Sequence, residues 1–386
     1  MIPIAAAANE NMANLSNVLV YSAMAVYTLA FLAHIAEWVF GSRSAVARTA
    51  AAITTEAKAA TAAAGQGAQG GGGTAVLDRP KVVTRAVAGG RDVPDGPGAA
   101  GTSEKGDVFG RIAVSLTVLA FLLHAGGVLT RALSVERAPW GNMYEFSTTF
   151  GMVVVAVYLG LLVARKNVRW LGLPLVTTIL LDLGLAVSVL YTDSDQLVPA
   201  LHSYWLWIHV SCAIISGASL WVGAAATLFY LFRNGYEERL EQGYVGTDGL
   251  NRLLAELPAD GRKVARFKAK LAKGTDSFVM RLPSAATLDK FAYRINATVF
   301  PLWTFTIIAG AIWAEAAWGR YWGWDPKEVW SFITWVAYAT YLHARATAGW
   351  KGRKAAYIAL FAFATYIFNY YGVNIFVTGK HSYAGV

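Results

Sequence analysis

The sequence predicts an all-α, polytopic membrane protein with about eight transmembrane helices. Three observations carry that expectation. Hydrophobic residues make up 56% of the 386 and charged residues only 15%, whereas a soluble domain is about a quarter charged. Mean hydropathy is +0.42. Apolar runs close to the roughly 20 residues that cross a bilayer core recur along the chain.

The runs place spans at 18–40, 112–133, 146–164, 170–191, 205–232, 294–316, 329–347 and 355–377. The first, within an N-terminal unit 1–40, is set off by residues 41–108. That stretch is rich in Ala and Gly, with Gly70–Gly73 at its centre and Pro and Asp beyond. Such composition cannot bury a core and reads as a disordered tether. Residues 109–386 hold the other seven spans as one membrane domain. Its loop 134–145 presents Asn142, Tyr144 and Glu145 at the mouth of the third span, and its loop 192–204 is acidic at Asp193 and Asp195 before His202. The long loop 233–293 is basic. Within it Arg262 to Lys273 alternates basic and apolar residues, as an amphipathic helix on anionic lipid would.

Lys and Arg set the orientation. Segments 41–111, 165–169, 233–294 and 345–354 hold 28 of the 33, leaving Arg131, Arg137, Arg320, Lys327 and Lys380 on the other side. The basic side is therefore expected in the cytoplasm, with both termini and residues 317–328 outside a plasma membrane. The net charge of +9 belongs to these loops and is no nucleic-acid footprint. A single cysteine, Cys212, excludes an intramolecular disulfide framework. There is no C-x-x-C-H and no C-x-x-C, so the chain is neither a c-type cytochrome nor a thiol reductant. Residues 1–17 lack a basic start, so no cleavable signal peptide is read.

The densest chemistry lies at 318–335, which carries Trp318, Trp322, Trp324, Trp330 and Trp335. An interfacial belt supplies one or two indoles per helix end rather than five on one segment. Asp325, Pro326 and Glu328 form a helix-start signal, with Asp325 as cap and Glu328 closing a capping box. The segment thus reads as an aromatic loop on the membrane surface that feeds a span.

This segment, W-G-x-x-W-x-W-D-x-K-E, resembles the tryptophan-rich WWD signature of heme-handling proteins of cytochrome c maturation. It is most similar to the CcsA/ResC branch of system II, whose actinobacterial members are often called CcsB. The resemblance extends to Pro139–Glu145, Ser203–Val210, Leu342–Arg345 and Gly379–Tyr383, and so covers roughly 110–386.

Ionisable side chains inside a membrane mark function by default, and depth sorts the six histidines. His209 lies roughly 7 Å inside its span and His343 about 21 Å from the start of its own, at the helical rise. His381 follows the last span. The resemblance implies that His209 and His381 are axial ligands of an external heme b held against Trp318, Trp322, Trp324 and Asp325. It implies that His343 ligates a second heme whose other ligand comes from a ResB-type partner subunit. His202, which begins a His-Ser-Tyr triplet like that at His381, is the rival to His209. His34 is the internal alternative for the inner site. His34 and His124 otherwise read as packed, hydrogen-bonded side chains. Arg320 is the first choice to pair with heme propionates, ahead of Arg131, Arg137 and Lys327, and Asp325 reads as a structural cap.

No nucleophile or acid–base pair stands out, so no catalytic residue is assigned. The function implied is a subunit of a holocytochrome c synthase complex that carries heme outward for thioether attachment to apocytochrome c. Its partners would be the ResB-type subunit, apocytochrome c and thiol-reducing membrane proteins, with no nucleic acid. The alternatives are a heme exporter without ligase activity and a b-type electron-transfer subunit. The latter usually pairs histidines about thirteen residues apart on two helices, a family pattern missing here.

Overall fold

The computed structural model describes residues 9–42, 95–101, 103–195, 203–242, 276 and 278–379. Among these residues there is no strand. The long helices are α1 (Glu10–Ser42), α2 (Glu104–Ser134), α3 (Met143–Val163), α4 (Gly172–Ser188), α5 (Tyr204–Glu241), α6 (Ala285–Trp318), α7 (Pro326–Ala346) and α8 (Arg353–Ile367). A 3-10 turn, Arg169–Leu171, leads into α4. A π-helical turn, Phe368–Gly372, and a final turn α9, Val373–Phe376, extend α8.

Each expected span is found as a helix, and seven of them are long and apolar enough to cross a membrane. The remaining one, α7, runs 21 residues but is less apolar, because Thr334, Tyr338 and Tyr341 line its buried face. The protein is thus multi-pass and all-α. Four boundaries lie well outside the apolar reading. α1 begins at Glu10 rather than 18 and α2 at Glu104 rather than 112. α5 continues past residue 232 to Glu241, and α6 begins at Ala285 rather than 294. At α5 and α6 the reason is electrostatic: Arg233 pairs with Glu237 one turn on at 2.8 Å. Glu237 in turn accepts the Ala285 N–H at 2.9 Å. Helix continues where apolarity stops.

Side chains start the helices. Ser103, Asn142, Ser203, Ser284 and Asp325 each accept a backbone N–H of the first turn, the local solution to unsatisfied helix donors. α1 and α2 form an antiparallel pair, tied by Ser16 Oγ donating to Gly127 O at 2.7 Å and by Asn9 N donating to Ser134 O at 2.7 Å. α4 and α3 join this pair to α5, and α6, α7 and α8 complete the bundle. The main core, with Tyr27, Tyr158, Leu175, Ile179, Leu183 and Val222, lies where α1, α3, α4 and α5 meet.

The end of the bundle opposite the tryptophan segment is closed by polar contacts. Residues 95–101 and 104–108, assigned to the disordered tether on composition, are ordered instead. Gly96 N donates to Leu282 O at 3.0 Å, Gly98 N to Arg281 O at 2.9 Å, and Ser284 N to Asp95 Oδ1 at 2.7 Å. Arg281 donates to Ala99 O at 2.6 Å and stacks over Trp38, 4.5 Å from the ring centre. Burial works against the charge on Asp95, but hydrogen bonds from Ser284 and Thr287 and the charge of Arg233 outweigh it. Its carboxyl is held below the usual carboxylate range. The rest of the tether, and the amphipathic stretch 262–273, lie outside the described residues, as do His202, Lys380 and His381.

Candidate functional site

At the tryptophan end, α5, α6, the 140–143 loop, the start of α7 and the last span enclose a cleft with about 1210 Å³ of empty space, part of it open to solvent. Its walls include Trp140, Trp313, Tyr321 and Trp322, with His209, Lys327, Asn369 and Asn374 as polar points.

His209 is fixed by α6. Its Nδ1 lies 2.8 Å from the Thr306 carbonyl oxygen. A carbonyl only accepts, so Nδ1 carries the proton, and the neutral ring then has its lone pair on Nε2. That is the tautomer of a histidine that ligates metal. Gly310, one turn beyond Thr306, makes room for the ring: a Cβ there would stand 2.7 Å from His209 Cε1. Trp313 lies nearly parallel to the imidazole, with centroids 6.0 Å apart at 17°.

The tryptophan loop is built by its backbone. Gly319, at φ 69°, ends α6 in the left-handed region, where glycine carries no steric cost. Trp324 holds φ 57°, which is strained for an aromatic residue. The capping box read from the sequence is present in full. Asp325 accepts from Lys327 N at 3.2 Å, and Glu328 Oε2 accepts from Asp325 N at 3.1 Å. Glu328 also accepts from Gly323 N at 2.7 Å, tying the loop to the helix it precedes. The last span returns to this cap: a Cβ on Gly379 would stand 2.8 Å from Asp325 Oδ2.

The structure gathers only part of the site read from sequence. His209 and Trp322 line the cleft. Trp318 stands behind Trp313, with ring centres 5.0 Å apart. Trp324 is 73% exposed, and Asp325 is engaged as the cap. The Arg320 guanidinium folds over Gly323, and no carboxylate pairs with it among the described residues. His343 sits on the exposed side of the last turn of α7, at the opposite end of the bundle. His34 is fully buried in another part of the fold, its Nδ1 3.2 Å from Glu37 Oε2.

Arg131 and Arg137, weighed for propionates, are already engaged. Both bind Glu145, at 3.0 and 2.7 Å, and Glu145 also accepts the Gly141 N–H at 2.9 Å. This buried cluster shapes the 137–142 loop that carries Trp140. Sequence reasoning missed Trp313, Asn369 and Asn374. Two asparagines in an otherwise apolar last span were the available signal. The π-helical turn, a feature common at functional sites, holds Asn369 and Tyr370 at the cleft, where Lys327 Nζ donates to Asn369 O at 2.8 Å.

Fold and site together define a multi-pass helical membrane protein with an aromatic, imidazole-bearing cleft at one end of its bundle. Residues 110–381 match the family model described as cytochrome C assembly protein. The chain belongs to that family, whose work is cytochrome c biogenesis. Among its relatives is "Cytochrome c biogenesis protein CcsA" of a Synechocystis species, 36% identical over 294 residues, or 71% of this chain and 86% of that one. The protein of the same name from Rippkaea orientalis is 39% identical over 274 residues, covering 64% and 80%. That from Gloeobacter violaceus is 35% identical over 281 residues, covering 68% and 83%.

Proposed function

We propose that this chain is the heme-handling subunit of a system II holocytochrome c synthetase. It carries heme b from a site at His343 to the aromatic cleft and presents it there for thioether attachment to the C-x-x-C-H of apocytochrome c. The observation that carries this reading is His209: an imidazole of ligating tautomer, backed by an indole, in an aromatic-walled cleft at the tryptophan end. Heme supplies the vinyl groups to which the cytochrome thiols add. Everything else is positioning by the chain.

His209 would hold the iron together with His381, which follows two positions after the Gly379 that abuts Asp325. Trp140, Trp313 and Trp322 cover the ring and exclude water. Lys327 and Arg320 take the propionates, Lys327 as a point charge and Arg320 as a fork. His343, exposed on α7, meets the ligand of a ResB-type partner. The tryptophan end faces away from the cytoplasm, on the distribution of Lys and Arg, and there meets apocytochrome c and its thiol reductants.

The test is co-expression with the partner and an apocytochrome, scored by covalent heme on the cytochrome and by the spectrum of the purified chain. Wild type should carry non-covalent, low-spin bis-histidine heme. His209→Gly should lose the outer heme and the product, and added imidazole should restore part of both. Wild-type protein free of heme under reducing conditions would overturn the reading.

A further inference from the structure

Inside the bundle lies a polar cluster that the preceding reading does not use. Asp182 on α4 and His124 on α2 are both buried. Asp182 Oδ1 accepts from Tyr371 OH at 2.6 Å, and His124 Nδ1 lies 3.5 Å from Tyr27 OH. The other polar atom of each, Asp182 Oδ2 and His124 Nε2, is buried and makes no close, well-aligned hydrogen bond among the described residues, although Ser147 faces the carboxyl and the Thr148 backbone the imidazole. The two side chains converge over Gly151 of α3. A Cβ on Gly151 would stand 3.1 Å from Asp182 Oδ2 and 3.4 Å from His124 Cε1, the ring carbon between the two nitrogens.

We propose that His124 and Asp182 form a proton-binding pair, bridged by one water over Gly151, that takes up or releases a proton as charge in the neighbouring cleft changes. Two bare polar atoms in an apolar interior are costly, and a polar pocket of this kind is where buried water resides. Glycine at 151 leaves the approach between the two side chains clear, because a methyl there would crowd both the carboxyl and the imidazole. A carboxyl and an imidazole joined by one water share a single exchangeable proton, so no electron or covalent bond changes.

The surroundings isolate the pair and link it to the cleft. The titratable groups facing it are Tyr27 from α1, Tyr366 from α8, and Tyr370 and Tyr371 from the π-helical turn. α3 contributes Ser147 there, and its Glu145 is taken up by Arg131 and Arg137. No Lys, Arg or Glu forms an ion pair with either member among the described residues. Tyr371 is the bridge. Its ring centre lies 4.4 Å from that of Tyr370, whose hydroxyl meets Ser147 Oγ at 2.5 Å and whose ring centre is 5.8 Å from Lys327 Nζ in the cleft wall.

Infrared spectroscopy on the full chain in lipid nanodiscs tests this without reference to what fills the cleft. Across the roughly pH 5–8 range where imidazole titrates, wild type should show a carboxylic C=O band that titrates and shifts in deuterium oxide. Asp182→Asn should abolish it. His124→Gln, and Gly151→Ala, which sets a methyl against both side chains and crowds out the bridge, should each move its midpoint by about one pH unit, a tenfold change in proton affinity. Lys327→Gln should move the midpoint too, through the altered charge of the cleft. Absence of a titrating band that Asp182→Asn removes would overturn the pair. A midpoint indifferent to both His124→Gln and Gly151→Ala would do the same, and one indifferent to Lys327→Gln would overturn its link to the cleft.

Discussion

A side chain on Gly310 would run into the His209 ring, its Cβ 2.7 Å from Cε1 and 2.8 Å from Nδ1. The glycine and the histidine are on different helices, so α6 sets the position of the imidazole both by the Thr306 carbonyl and by what it lacks one turn later.

Gly310→Ala should therefore act as a ligand mutation while leaving His209 in place. The ring must leave Thr306 and Trp313, and heme affinity should fall roughly 10–100-fold, as when an outer-shell partner is lost. The check is heme content and the low-spin spectrum of purified protein, with thermal stability measured alongside. An unchanged spectrum would show that Gly310 does not position the ligand.

Glu145→Ala should destabilise the bundle strongly. It strips two buried guanidinium groups of their carboxylate, and breaking a buried ion pair costs about 3–5 kcal/mol. A thermal shift assay should show the loss. The neighbouring Trp140 should change its fluorescence as the 137–142 loop relaxes.

His34 and His343 should separate cleanly. His34→Ala leaves Glu37 without its imidazole in a fully buried setting, which predicts a stability loss of about 1–3 kcal/mol with heme content retained. His343→Ala changes an exposed side chain, so stability should stay within about 0.5 kcal/mol while heme loading with the partner drops. Reading both proteins by melting and by heme content decides the matter. Equal heme loss from the two, in protein purified alone, would make His34 the inner ligand.

The Asp95 contact should depend on pH. A carboxyl held below its unfolded value near 3.9 stabilises the folded state above that value and ceases to as pH falls through the folded one. Protection of the Gly96 and Gly98 amides, taken relative to the intrinsic exchange rate at each pH, should thus be high at neutral pH and fall in acid. Asp95→Asn should show lower protection at neutral pH and lose most of its pH dependence.

Much of the fold was legible because membrane spans announce themselves by composition, and the capping box at Asp325 because it is a local pattern with one geometry. What was not legible depended on distant residues meeting. Arg131 and Arg137 looked available as outer cations until Glu145 was seen to hold both. Residues 95–101 looked like tether because their partners, Arg281, Leu282 and Ser284, lie some 180 positions along the chain. The end of α5 was misjudged because an ion pair, which hydropathy scores as a stop, supports the helix there. Trp313 was missed because its role comes from a histidine on another helix.

The same opposite-end contacts fix both flanks of the segment between residues 42 and 95. A Cβ on Gly41 would stand 2.8 Å from the backbone carbon of Ala100, so the chain leaves and rejoins the membrane domain at nearly one point. A flexible stretch inserted there would cost only loop closure, about 0.6 kcal/mol for each doubling of its length. In genetic terms the position is a natural insertion port. A reporter, an affinity module or a much shortened linker should splice in there and leave the helices, and the cleft at their far end, as they are.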